Sequence, residues 1–231
     1  MNNLFFKITL SLQVAILALL VVLCVGFSHN NIENSSINMR GEPFLVLIDV
    51  GHGGMDAGKV GSYSLEKDIN LSIARKLSKL LKENNMLHIL TRENNQGITK
   101  DNEEWDKNVD MKLRREMIDT SNASIFISIH QNSFTDSTCR GSQVFYSDYL
   151  KANSKLAHLM QDELMKISKV PNKRTPLLNN ELYLLQNNAM PSVLIECGFL
   201  SNKIEEDLLN NQEYQEEIAK AMFTGICRFV K

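Results

Sequence analysis

FLVLIDVGHGG, residues 44–54, decides the fold, because a run of large apolar and β-branched residues ends in a histidine set between glycines. That composition is typical of a strand buried on both faces of a sheet. The same pattern recurs in IFISIHQN (residues 125–132) and SVLIECGF (residues 192–199). His52, His130 and Glu196 each follow such a run. In an open α/β sheet, ligands and reacting groups collect at the carboxyl ends of the strands, so we expect these three side chains to converge.

The rest of the chain alternates between strand patterns and helix patterns. Apolar runs predict strands at 44–50, 87–91, 125–129, 142–146 and 192–196. Amphipathic patterns predict helices at 67–84, 109–120, 150–168 and 214–230. Strands that alternate with helices pair mostly in parallel, through right-handed crossovers. The sequence therefore predicts a single α/β domain, in which helices flank both faces of a twisted, mostly parallel sheet.

The N-terminal region has the character of a membrane segment. Residues 8–27 contain no charged side chain, and a helix of about 20 apolar residues spans a bilayer core. Lys7 is the only charged side chain before them, which favours a domain outside the cytoplasm. A cleaved export signal is the alternative, because Gly26 and Ser28 form a small-x-small site. We predict an anchor or signal segment (1–28), a linker (29–43) and an exported domain (44–231), which is anchored by residues 8–27 or secreted after cleavage.

Composition and cysteine spacing exclude several classes of function. The chain of 231 residues has a net charge of −2 at pH 7, which provides no electrostatic basis for binding nucleic acid. Its 43% of hydrophobic residues suffices for one well-packed core. Cys24 lies in the apolar N-terminal segment, and the other three cysteines, Cys139, Cys197 and Cys227, have no C-x-x-C spacing. A zinc-ribbon or dithiol redox motif is therefore excluded.

The converging side chains predict a metal site with a catalytic role. Two neutral imidazoles and one carboxylate bind Zn²⁺ and leave its fourth position open. Glu66, at the start of a predicted helix, and Glu196 are the two candidate carboxylates. One would complete the ligand set, and the other would take a proton from water. The residues alone do not settle which carboxylate has which role.

Each of these candidates also has a purely structural interpretation. His52 would stabilise a tight turn if Asp49 or Asp56 satisfied its ring nitrogens. Glu66 would stabilise a helix start through the helix dipole. Glu196, at the edge of the core, would need a partner, and the candidate salt-bridge partners are Arg92, Arg114 and Arg115.

Five motifs occur in order along the chain: GHGG-x-D-x-G from Gly51, EKD from Glu66, Thr91-Arg92, SIH-x-N from Ser128 and P-x-x-L-x-E-x-GF-x-SN from Pro191. Together they resemble the zinc-dependent N-acetylmuramoyl-L-alanine amidases of the Amidase_3 group, over about residues 44–230. The resemblance implies zinc ligands at His52, Glu66 and His130, and a catalytic glutamate at Glu196. It implies hydrolysis of the amide bond between N-acetylmuramic acid and L-alanine in peptidoglycan. Asn132 and Arg92 are further candidates for orienting the substrate.

The layout of the chain suggests a narrower role within that family. Beside the membrane-type segment the sequence has no wall-binding repeat, and this resembles the amidases that modify spore-cortex peptidoglycan. A sporulation or germination role in the spore envelope is therefore expected, with an exported accessory protein as a possible partner. Two other classes stay open. One is another zinc peptidase or deacetylase that acts on the cell wall, and the other is a non-catalytic exported wall-binding protein.

Overall fold

The computed structural model describes residues 43–98 and 105–231, and all elements named below lie within them. Six strands form one sheet, namely β1 (Leu45–Val50), β2 (Leu87–Leu90), β3 (Ile125–Asn132), β4 (Gln143–Tyr146), β5 (Leu177–Leu178) and β6 (Ser192–Phe199). Their order across the sheet is β2-β1-β3-β6-β4-β5. The α-helices are α1 (Glu66–Glu83), α2 (Lys107–Thr120), α3 (Lys151–Ile167), α4 (Lys203–Leu209) and α5 (Gln212–Val230), and a 3₁₀ turn spans Tyr183–Leu185.

The pairing of the strands confirms the predicted sheet. Adjacent strands run parallel at every pairing except that of β4 with β6, which is antiparallel. β1, β3 and β6 lie side by side at the centre. Because these three strands are mutually parallel, their carboxyl ends meet at the same edge of the sheet, and the predicted functional residues lie there.

Helices cover both faces of the sheet, as predicted. On one face, Ile48, Ile127 and Ile195 pack into the larger core with the apolar sides of α1, α3 and α5. On the other face, Leu47 and Phe126 pack into a smaller core with α2 and the 3₁₀ turn. Alternate residues of β1 and β3 therefore enter different cores, which explains why these strands read as continuous apolar runs.

Two predicted strands are longer than the sequence indicated. The apolar runs end at Ile129 and Ile195, but β3 continues to Asn132 and β6 continues to Phe199. His130 pairs with Glu196 in the ladder, so both lie inside strands, and only His52 follows its strand. The predicted strand 125–129 ended too early, because main-chain pairing continues through His130 to Asn132, where one sheet face changes from apolar core to polar site. Glu196 lies inside its strand, as the predicted range 192–196 implied.

Three short elements were not predicted, namely β5, the 3₁₀ turn and α4. The sequence does contain a signal for α4. Asn202 caps this helix, with its side chain accepting hydrogen bonds from the main-chain N–H groups of Ile204 and Glu205. An asparagine before Lys203-Ile204-Glu205-Glu206 is a recognisable helix start, since carboxylates also favour the first turn.

The N-terminal segment and its linker, residues 1–42, lie outside the described residues, as does the predicted anchor at 8–27. Within 43–98 and 105–231, no helix combines the length and the apolar character needed to cross a membrane. Cys139, Cys197 and Cys227 are free cysteines. Cys197 is buried, as expected for a small core residue.

Candidate metal centre

The turn after β1 holds His52 in an unusual backbone conformation. His52 has φ 63°, in the left-handed region that few non-glycine residues adopt. Glycine is required before it, because a Cβ on Gly51 would lie 2.4 Å from Cε1 of the His130 ring. The glycine thus allows the His130 imidazole to lie against the main chain beside His52. The two rings meet edge to face, with centroids 4.9 Å apart.

Two buried arginines fix this turn. Arg92 Nε and Arg114 Nη2 donate to the carbonyl oxygen of His52, at 2.7 Å and 2.8 Å. Arg92 also donates to the carbonyl of Lys67, at 2.8 Å, in the first turn of α1. It thereby joins the segment that carries His52 to the one that carries Glu66. We infer that these contacts offset the backbone strain at His52, which is about 1–2 kcal/mol for a left-handed non-glycine residue.

Arg114 is itself held by a buried charge network. Its guanidinium contacts Asp49 at 2.5 Å and Asp110 at 2.6 Å. Burial alone would raise the pKa of Asp49, but Arg114, His130 and a hydrogen bond from Ser128 hold that pKa below its ordinary value. Asp49 is therefore charged and pairs with Arg114. The structural interpretation in which Asp49 satisfies a ring nitrogen of His52 was wrong.

Glu66 is the first residue of α1, and it lies between the two histidines. Its Oε1 is 2.9 Å from Nδ1 of His130, and its Oε2 is 3.2 Å from Nε2 of His52. Main-chain N–H groups of Gln131 and Lys59 donate to the same two oxygens. Glu66 is therefore fixed by the loop before α1 and by β3, which leaves its carboxylate little freedom to turn away.

The three side chains form a compact ligand set. One ligand atom from each of His52, Glu66 and His130 lies within 4.8 Å of the others, and the Glu66 side chain is only 2% exposed. Burial alone would raise the pKa of Glu66, but the two imidazoles hold that pKa far below its ordinary value. Two imidazole nitrogens and a charged carboxylate are donors that suit a divalent transition metal. The residues present therefore fit a metal ion.

Asp56 contacts His52 on the side of the ring that faces away from Glu66. Its Oδ2 is 2.7 Å from Nδ1 of His52, which leaves Nε2 of the same ring facing Glu66. A carboxylate on the far nitrogen of a metal-binding imidazole fixes the ring and raises its basicity. Asp56 is thus the partner of His52 that the purely structural interpretation of the turn predicted. This contact is compatible with the metal role, because the other nitrogen remains directed at the cluster.

Glu196 lies next to this cluster and has a different environment. It pairs with His130 across β3 and β6, and its Oε2 is buried without a hydrogen-bond partner in the part of the chain that the structure describes. Burial raises the pKa of Glu196 to about 7. A carboxyl group with a pKa near neutrality is suited to take up and return a proton.

The proposed arginine partners of Glu196 are all engaged elsewhere. Arg92 and Arg114 contact the carbonyl of His52, and Arg115 pairs with Asp119 on α2. The structural interpretation of Glu196 as one half of a salt bridge was therefore wrong. A buried carboxyl group without a partner is costly, by about 1–3 kcal/mol, and such a group calls for an explanation in its function.

The structure places the two further candidates at the edge of this site. Asn132 ends β3, two residues after His130, and its Oδ1 accepts a hydrogen bond from the N–H of Ser133 at 2.8 Å. The Arg92 side chain is turned toward main-chain carbonyls and is 5% exposed in total, which indicates a role in holding the site. Their contact with substrate stays a prediction.

Comparison with known proteins agrees with this geometry. Residues 46–228 match the Amidase_3 family, described as N-acetylmuramoyl-L-alanine amidase. The germination-specific N-acetylmuramoyl-L-alanine amidase of Bacillus subtilis is 34% identical over 224 residues, which are 95% of this chain and 93% of the relative. The CwlD amidase of Clostridioides difficile, solved in complex with the GerS lipoprotein, is 40% identical with a TM-score of 0.77, over 80% of this chain and 98% of that one.

A second solved structure extends the likeness beyond these relatives. The catalytic domain of CwlV, an amidase from Bacillus (Paenibacillus) polymyxa, is 28% identical with a TM-score of 0.69, over 80% of this chain and 97% of that one. The family match covers nearly all of the predicted domain 44–231. The chain therefore belongs to the Amidase_3 family, and it is an N-acetylmuramoyl-L-alanine amidase that acts on peptidoglycan.

Proposed function

We propose that this amidase is a zinc enzyme in which His52, Glu66 and His130 hold Zn²⁺ and Glu196 is the catalytic acid and base. Two features at the same edge of the sheet support this proposal. Three ligand atoms lie within 4.8 Å of one another, and the neighbouring buried carboxyl oxygen of Glu196 has no partner among the described residues. Zinc is favoured because two imidazoles and one carboxylate form a common ligand set of catalytic zinc sites.

The reaction cleaves the amide bond between the lactyl group of N-acetylmuramic acid and L-alanine. When bound, Zn²⁺ supplies Lewis-acid polarisation of the carbonyl oxygen and lowers the pKa of water. Glu196 takes a proton from the attacking water, while the water oxygen forms a bond to the lactyl carbonyl carbon. Glu196 then passes that proton to the alanine nitrogen as the carbon–nitrogen bond breaks. The products are a lactyl carboxylic acid and a peptide with a free alanine amine.

The identity of the metal is tested by removal and replacement. We expect dialysis against a chelator to abolish amide cleavage, and about one equivalent of Zn²⁺ per chain to restore it, whereas Mg²⁺ should not. Zinc should also raise the thermal midpoint of unfolding, because a ligand that binds only the native state stabilises it. Full activity in a protein shown to contain no transition metal would contradict the proposal.

We also infer a role in spore-cortex peptidoglycan, on the extracytoplasmic side of the membrane. The support comes from the B. subtilis relative, whose name is germination-specific, and from the breadth of that match. Residues 8–27, which lack charged side chains, provide a segment suited to anchoring or exporting the domain. The cortex role and the extracytoplasmic location concern where the enzyme acts, and the proposed reaction is the same in either case.

An exported lipoprotein is the accessory partner that we propose. The support is the C. difficile amidase, which was solved in complex with the GerS lipoprotein. If such a partner targets the enzyme, the chain alone should cleave intact cortex at least about tenfold more slowly than the pair, since a second attachment raises the effective concentration. A small soluble muropeptide should be cleaved equally with and without the partner. Equal rates on intact cortex would contradict the proposal.

A further inference from the structure

The row of residues that carries His130 and Glu196 continues across the sheet onto β4. Glu196 pairs with His130 of β3 on one side and with Gln143 of antiparallel β4 on the other. Residues directly opposed on neighbouring strands point to the same face of the sheet. Gln143 therefore lies on the face of the candidate metal centre, one strand beyond Glu196.

Gln143 brings Arg174 to this face. Its amide nitrogen donates to the carbonyl of Thr175 at 2.6 Å, and its Oε1 accepts from Nη1 of Arg174 at 3.4 Å. The Gln143 side chain is buried, so its contacts hold the segment before β5 against the sheet. The guanidinium of Arg174 consequently lies beside the residue that neighbours Glu196.

A second, independent contact places Arg174 on the same face. A register shift between His130 and Asn132 inserts one extra residue into β6, and Asn132 then pairs with Phe199. Phe199 thus lies beside Asn132, two residues along β3 from His130. The guanidinium carbon of Arg174 is 4.8 Å from the centroid of the Phe199 ring. A stacked guanidinium in this position has a defined orientation.

The charge of Arg174 has no carboxylate partner. Its hydrogen bonds go to the carbonyl of Arg140, at 3.0 Å, and to the Gln143 amide. Across residues 43–98 and 105–231, Arg174 takes part in no ion pair with a nitrogen–oxygen distance of 4.0 Å or less. The charge of Arg174 opposes the rise in the pKa of Glu205 that burial causes. The Glu205 oxygens, however, accept hydrogen bonds from the main-chain N–H groups of Gly141 and Phe199. Arg174 is therefore oriented and half-buried, and its charge is available to a ligand.

We propose that Arg174 binds a carboxylate of the peptide that is released from the glycan, and so contributes to substrate specificity. The proposal rests on the proposed function, because it places the scissile amide between the metal ligands and Glu196. Strands are about 4.8 Å apart, so the segment at β5 lies about 10 Å from β6. An extended peptide spans about 3.3–3.6 Å per residue. At that distance the arginine is within reach of the second or third residue of the stem, and both residues carry a free carboxylate when the third is diaminopimelate.

The test compares Arg174→Met with the unchanged full-length protein, loaded with zinc. Methionine keeps apolar contact with Phe199 and removes the charge. The ligands are the tripeptide L-Ala-γ-D-Glu-diaminopimelate with its C-terminal carboxyl group capped as an amide, and its forms further amidated at the second residue, at the side-chain carboxyl group of the third residue, or at both. We expect Arg174→Met to bind the free-acid peptide about tenfold more weakly, as for one charge-assisted hydrogen bond, and the doubly amidated form equally. The singly amidated forms identify which carboxylate is bound.

A kinetic comparison and a matched control complete the test. On muropeptides with free carboxylates, Arg174→Met should raise KM about tenfold with little change in kcat, and Arg174→Lys should recover part of the loss. The control is Lys155→Met, which also removes a cation that lies over a phenylalanine ring, that of Phe229. This pair lies between α3 and α5, so the variant should leave peptide binding, KM and kcat unchanged. Unchanged binding and KM in Arg174→Met would overturn the proposal. An inactive zinc-loaded parent would instead contradict the proposed function, and peptide binding would still decide the role of Arg174.

Discussion

Replacement of Glu196 by glutamine is expected to lower kcat about a thousandfold, while zinc binding and KM stay close to those of the unchanged enzyme. Glutamine has the same shape but cannot take the proton from water or return it to the alanine nitrogen. General acid–base catalysis by a positioned side chain typically contributes 10²–10⁴-fold, and Glu196 would act in both proton transfers. The measurement is the rate of stem-peptide release, together with the zinc content of the purified variant.

The control for this variant is Glu213→Gln, which makes the same chemical change at an exposed position on α5. It should retain full activity. A Glu196→Gln enzyme that keeps more than about a tenth of its activity would show that another group moves the proton. Loss of zinc from that variant would instead mean that Glu196 acts as a ligand, contrary to the roles assigned here.

Replacement of His130 by alanine is expected to remove both zinc and activity. The change deletes one of the two imidazoles, the ring that lies 2.9 Å from the Glu66 carboxylate, and leaves only His52 and Glu66 as ligands. Loss of a group behind a metal ligand typically costs 10–100-fold in affinity, so loss of a ligand itself should cost more than about a hundredfold. Calorimetric titration of the metal-free protein with Zn²⁺ measures this directly.

The stability of His130→Ala should fall as well, for a separate physical reason. In the metal-free protein, burial alone would lower the pKa of His130, but the Glu66 carboxylate raises it above its ordinary value, so the imidazole and the carboxylate stabilise each other. Without the His130 ring, Glu66 keeps His52 and two main-chain N–H donors, so we expect a cost of about 1–3 kcal/mol in the metal-free protein. His158→Ala, at an exposed histidine of α3, is the control and should leave zinc affinity and stability unchanged. Full zinc occupancy in His130→Ala would contradict the ligand assignment.

The sequence predicted the central part of this site because local pattern and topology agree there. Apolar runs identified β1, β3 and β6, and parallel pairing necessarily brings their carboxyl ends together. Glu66 was predictable as a carboxylate at the start of a helix. The loop between β1 and this helix brings Glu66 back to the edge of the sheet where β1 ends. The choice between Glu66 and Glu196 as metal ligand came from the family resemblance, since both residues are carboxylates beside apolar segments.

Other features depended on contacts that no local pattern encodes. The extension of β3 and β6 through His130 and Glu196 follows from their pairing with each other, and the shift at Asn132 follows from an extra residue in β6. The role of Arg92 depends on carbonyl oxygens from two separate segments. Arg174 lies in a region of the sequence with no recognisable motif. Its position becomes visible only through Gln143 and Phe199, which belong to two different strands.

We propose that zinc held by His52, Glu66 and His130 acts together with Glu196 in cleaving the muramoyl–alanine amide bond. Mass spectrometry of purified peptidoglycan tests it most directly, after incubation with the enzyme plus zinc, with the enzyme plus chelator, and with Glu196→Gln. Free stem peptides that begin at L-alanine are expected in the first sample only. Such peptides in either of the other two samples, or cleavage at a different bond in the first, would contradict it.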